Sequence, residues 1–140
     1  MNILILQGPN LNLLGLKSAQ MKGRLTLDKL NKKIKTEIKL QNIQLKFLQT
    51  HKNFQAINFL QRNRNKAKGL LLIPTSWART NYTILETINL IKIKTSVIYF
   101  EQPYNFGTDE NKSIFHGENI KSFTGEPVSS CIEGINYFLK

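Results

Sequence analysis

At 140 residues and 16.1 kDa, with 41% hydrophobic side chains, the chain has the size of one domain and enough apolar matter for one core, so a single domain over residues 1–140 is expected. Its apolar runs, such as Gly69–Ile73 and Val97–Phe100, fall far short of the ~20 residues that cross a bilayer, and strand-like sequence from Asn2 leaves no room for a signal peptide, which argues for the cytoplasm or an organellar matrix and against a membrane. One cysteine, two histidines and no clustered carboxylates exclude an internal disulfide, offer no metal-ligand spacing and call for no cofactor, while a formal net charge of +11 favours polyanionic partners.

Apolar runs alternate with amphipathic stretches along the whole chain, the pattern of a parallel sheet covered by helices on both faces. A first strand is expected over Asn2–Leu6. Thr26 is placed to cap a helix running to about Leu40, with Leu27, Leu30, Ile34 and Ile38 at helical spacing. A second strand over Ile43–Leu48 precedes a helix over Asn53–Asn65 whose inward stripe reads Phe54, Ile57, Leu60. A third strand, Gly69–Ile73, stops at Pro74. A helix over Thr80–Ile91 follows, with Ile84, Leu85, Ile88 and Ile91 inward, and then a strand over Ser96–Phe100. Pro103–Glu118 is polar and aperiodic and reads as a long loop with one short helical turn. A last short strand over Ile120–Phe123 leads to a helix that Glu126-Pro127 starts and Leu139 ends; proline costs little in a first turn. The simplest assembly is α/β, a flavodoxin-like doubly wound sheet of about five parallel strands. Ligands of such folds bind beyond the carboxyl ends of the strands, here Gln7–Gly15, Thr50–Asn53, Pro74–Thr80 and Glu101 onward.

The segment Gly8-Pro9-Asn10-Leu11-Asn12-Leu13-Leu14-Gly15, which follows the first strand, closely resembles the opening of type II 3-dehydroquinate dehydratases. Weaker matches follow in order at Gln49-Thr50-His51, Ile57-Asn58-Phe59-Leu60 and Arg79-Thr80 through Glu86, so the likeness spans Asn2 to Leu139. The resemblance implies a single type II dehydroquinase-like domain, trimers that assemble further, and a lyase of the shikimate pathway that removes water from 3-dehydroquinate through an enolate. That chemistry needs a base, an acid and donors for the developing charge.

Set against the family pattern, most of those groups are replaced. Lys17 stands where the family has the arginine beside its catalytic tyrosine, and Lys22 stands at the tyrosine itself. Asn10 matches an active-site asparagine. Ile73 replaces an asparagine, Arg79 a histidine, and Thr80 is retained; Glu86 stands for an acidic residue that reaches a neighbouring subunit's site. The Glu-x-His pair after the fourth strand becomes Tyr99 and Glu101, the next two positions Pro103 and Tyr104, and a substrate-binding arginine falls near Thr108. Neither His51 nor His116 occupies a catalytic position. Gly8, Asn10, Lys17 and Thr80 remain as a residual ligand-binding set, with backbone N–H groups of Gly8–Asn10 suited to a small anion. Trp77, Tyr82, Tyr99, Phe100 and Tyr104 are placed to fill the former pocket or to form a contact. Cys131, with no histidine or lysine nearby, reads as a core residue.

The leading expectation is therefore a pseudoenzyme: an inactive homologue kept as a homo-oligomer or as a subunit of a larger complex, with a small-molecule substrate disfavoured. Its charge extends this to a ribonucleoprotein such as an organellar ribosome, with Arg62, Arg64, Lys66 and Lys68 as first candidates for RNA contact and Lys32, Lys33, Lys35 and Lys39 as second. Only four of the 20 basic residues are arginine, and lysine abounds together with asparagine and isoleucine, so codon bias in an AT-rich genome is a second source of the charge. The alternative is an active or weakly active dehydratase from such a genome, with Lys22 as base and Glu101 as acid.

Overall fold

The structure is a computed structural model that describes residues 1–39 and 42–140. Five strands, β1 (Asn2–Gln7), β2 (Gln44–Gln49), β3 (Ala67–Ile73), β4 (Thr95–Phe100) and β5 (Ile120–Gly125), form one parallel sheet in the order β2-β1-β3-β4-β5. This is the doubly wound arrangement that the alternation implies.

Strand periodicity divides the core between the two faces. Ile3 and Ile5 of β1, Leu71 and Ile73 of β3 and Ile98 and Phe100 of β4 point into one layer, joined by Leu14 of the single turn α1 (Leu14–Lys17) and closed by α2 (Leu27–Ile38) and α6 (Pro127–Asn136). Leu4 and Leu6, Leu70 and Leu72, and Val97 and Tyr99 point into the other, closed by α3 (Asn53–Asn63) and α5 (Tyr82–Ile91). Covered on both sides, the central strands read as continuous apolar runs, whereas β2 and β5 at the edges are only half-buried.

Local chemistry sets the helix boundaries. The Thr26 hydroxyl accepts from the Lys29 N–H at 3.2 Å and starts α2, whose buried stripe is Leu30, Ile34, Ile38; the expected end near Leu40 lies outside the described residues. In α3 the buried positions are Ala56, Leu60 and Asn63, which corrects the expected Phe54, Ile57, Leu60 stripe. At ~100° per residue Phe54 sits on the far side of the helix from Ala56, and it is 62% exposed. Asn63 is tolerated inward because its amide donates to the Phe59 carbonyl at 2.7 Å and accepts from Lys46 Nζ at 3.1 Å.

The helix expected from Thr80 is two pieces, a single turn α4 (Trp77–Thr80) and then α5. Asn81 separates them, because its side chain accepts from the Ile84 N–H at 3.1 Å and caps α5. Ile84, Thr87 and Ile88 are buried there, while Leu85 and Ile91 are half-buried. The long loop holds one 3-10 turn, Glu110–Lys112, capped by the Asp109 carboxylate. No described helix is long and apolar enough to cross a membrane.

Candidate functional site

The loops beyond the strand ends are tied to one another. The Gly8 N–H donates to the Ile73 carbonyl at 2.8 Å, and a Cβ at Gly8 would lie 2.3 Å from the Pro74 carbonyl oxygen, so only glycine fits. Thr75, buried at φ 51°, sets its hydroxyl 2.7 Å from the Pro9 carbonyl oxygen, and Gln49 Nε2 donates to the Gly8 carbonyl at 3.0 Å. Gly107, at φ 71°, lies against the Ser76 backbone and brings in the loop after β4.

This bracing takes up part of the donor set expected for a small anion. The Gly8 N–H is spent on Ile73, Pro9 has none, and the Leu11 N–H turns back to the Gly8 carbonyl at 3.3 Å. Asn10 is exposed in the left-handed region at φ 70° and its side chain caps nothing. The strand-to-loop turn therefore clasps the ends of β1 and β3 through Gly8 and Thr75.

Beyond the ends of β4 and β5 lies a polar hollow of about 370 Å³, lined by Tyr99, Glu101, Thr108, Asp109, Lys112 and Thr124 among others. Tyr99 is buried and its hydroxyl donates to Ser113 Oγ at 2.6 Å, while Ser113 Oγ also accepts from the Phe115 N–H. Burial raises the Tyr99 phenol above its ordinary range, against the lowering hydrogen bonds of Ser113 and Ser122, so it stays protonated as a donor. Glu101 is exposed; it has no ion-pair partner among the described residues. The Thr108 hydroxyl oxygen is buried without a hydrogen-bond partner.

The structure brings together only part of the predicted set. Tyr99, Glu101 and Thr108 share the hollow; Gly8, Asn10, Lys17, Lys22 and Thr80 do not line it. Lys17 is exposed, with Nζ 5.5 Å from the Phe106 ring centroid, and Lys22 and Thr80 are exposed on a turn and at the end of α4. Ile73 is buried in the core and Arg79 is exposed. The aromatics do not gather in one pocket: Trp77 and Tyr99 pack in one layer, Phe100 and Tyr104 in the other, and Tyr82 is 64% exposed. Cys131 is buried in the core and its thiol is pushed up by desolvation. Asp109 and Lys112, missed by the sequence reading, carry a local signal in the Asp109 cap, whose carboxylate accepts from the Lys112 N–H at 3.1 Å.

Among the basic candidates, Arg62 and Lys66 line a groove with Lys46, whereas Arg64 turns its guanidinium to the Gln61 carbonyl and Lys68 is exposed on β3.

The class II dehydroquinase family model matches residues 1–138. A 3-dehydroquinate dehydratase of Clostridium botulinum (strain 657 / Type Ba4) is 27% identical over 137 residues, covering 98% of this chain and 87% of that protein. One of Endomicrobium trichonymphae is 26% identical over 123 residues, covering 88% and 86%. Among solved structures, a type II dehydroquinase from Butyrivibrio crossotus DSM 2876 superposes with a TM-score of 0.84 at 21% identity, over 100% of this chain and 98% of that one. A 3-dehydroquinate dehydratase-like protein from Bifidobacterium longum superposes with a TM-score of 0.66 at 11% identity, over 99% and 98%. Matched along nearly its whole length by the family model, the chain belongs to the class II dehydroquinase family.

Proposed function

We propose that this family member keeps the fold without the dehydration chemistry and serves as a structural or binding subunit of a larger assembly. The observation that carries the reading is the end of β4, where Tyr99 is buried, protonated and bound to Ser113 while Glu101 stands exposed beside it. Dehydration requires a base and an acid aimed at one substrate. A phenol held neutral in the core is no base, and Glu101 has no cation or base paired with it among the described residues to form an acid–base couple. Lys22, on an exposed turn outside the hollow, does not complete the pair. Each positioned acid or base supplies roughly 10²–10⁴-fold in rate, so loss of both removes about 10⁴–10⁸-fold.

Support for assembly comes from the surface. The net charge of +11 suits an assembly that contains nucleic acid. Expression in a bacterial strain lacking its own dehydratase tests the loss of chemistry: folded protein without rescue of growth is the expected result. Rescue abolished by Lys22→Ala or Glu101→Gln would overturn the reading and show chemistry rebuilt on those two residues.

A further inference from the structure

The edge of the sheet at β2 carries a feature that dehydration does not use. Because α3 presses Ala56 and Leu60 onto the core over β1 and β3, the flank of β2 is left uncovered. A hollow of about 690 Å³ runs there, lined by Lys46 of β2, Phe54, Asn58 and Arg62 of α3, and Lys66 beyond it. A second hollow of about 380 Å³ continues it toward Gln44 and Ala67 and shares Lys46, Asn63 and Lys66. No aspartate or glutamate lines either one, in contrast to the hollow at β4, which holds Glu101 and Asp109.

We propose that this groove binds a single strand of nucleic acid. Phe54, Asn58 and Arg62 are four residues apart on one exposed face of α3, so they form a row roughly 12 Å long that Lys66 extends. Lysine and arginine meet phosphates, an exposed ring offers a base a stacking face, and an amide can bond to base or sugar edges. Phe54 is the exposed ring, and Lys52 Nζ lies 6.0 Å from its centroid, adding a cation beside the stacking position. An edge-strand lysine can serve merely to block strand pairing. Lys46 is instead turned into the groove, where Nζ donates to Asn63 Oδ1 at 3.1 Å. The inference names a ligand for the binding subunit proposed above, and it stands on separate residues, so a protein that did turn over 3-dehydroquinate could still carry it.

The test is fluorescence anisotropy of a fluorescein-labelled 12-nucleotide oligouridylate with the full chain, at 50 and 200 mM salt. Three phosphate contacts imply affinity falling roughly 20-fold between those salts. Combining Lys46→Gln, Arg62→Gln and Lys66→Gln is expected to abolish that salt-dependent binding. Phe54→Ala should weaken binding about 5- to 150-fold, the range for one stacked base. All four residues are exposed, so the variants are expected to fold, with circular dichroism as the check. Lys121→Gln with Lys140→Gln, at the opposite edge of the sheet, should leave affinity unchanged. Absence of binding at 50 mM salt, equal loss in the Lys121/Lys140 variant, binding that survives the groove variants, or a 12-base-pair duplex bound as tightly as the single strand would each overturn the proposal, whatever the turnover assay shows.

Discussion

Tyr99 shows how one position can change a site and still serve the fold. An aromatic ring facing inward from a central strand adds packing, and its hydroxyl finds Ser113, so the group is satisfied. Tyr99→Phe removes that bond and strands no large charge; a loss of about 1 kcal/mol in urea unfolding is expected. Tyr99→Glu, which restores the residue type of the family pattern, places a carboxylate among Val97, Phe115 and Trp77 in the same apolar cluster and should cost more than about 3 kcal/mol. Thr108 is the opposite case, a buried hydroxyl that bonds to nothing. Thr108→Val keeps its shape and is expected to leave stability unchanged or raise it by about 1 kcal/mol in the same assay. These placements were only partly legible in the sequence. The replacements at Tyr99 and Glu101 could be read from the resemblance, but the Ser113 partner, 14 residues away, depends on how the loop after β4 folds back.

At the scale of elements, boundaries follow side chains that bond to the backbone. Strands and α2 were readable because their apolar periods are long and uninterrupted. The inward stripe of α3 was misread because Ala56 is a weak hydrophobic signal and Phe54 a strong one, although close packing against β1 and β3 favours the small residue. The split between α4 and α5 was hidden because Asn81 reads equally well as a helix interior or a cap. Close approach also fixes α6, where a Cβ at Gly134 would come within 2.6 Å of Leu71 Cδ1 and 2.8 Å of Ile98 Cδ1. Gly134→Ala should destabilise by about 1–3 kcal/mol by overpacking, despite alanine's better helix propensity. On the same helix, Cys131 has its thiol raised by burial above the ordinary 9.0. The unfolded chain then ionises first, so stability from this group is intact below pH 9.0 and is lost as pH rises beyond it. Chemical denaturation between pH 7 and 10.5 should show a decline that Cys131→Ala lessens.

For the whole molecule, the two properties that matter are independent. The doubly wound sheet rests on alternating strand positions and two helical layers, and none of those requires the groups that would move protons. That independence explains why the fold was legible from the apolar pattern while the site was legible mainly as a set of departures. It also explains why the β2 groove was legible only in part: Arg62 and Lys66 stand out in the sequence as basic candidates, but Lys46, 16 positions before Arg62, joins them only because α3 packs beside the edge strand. Turnover of 3-dehydroquinate by purified, folded protein at high concentration, followed by ultraviolet absorbance of the conjugated product, decides whether this dehydroquinase fold lacks the family's chemistry. No formation above the uncatalysed rate is expected. Clear turnover that disappears with Glu101→Gln or Lys22→Ala would contradict that loss.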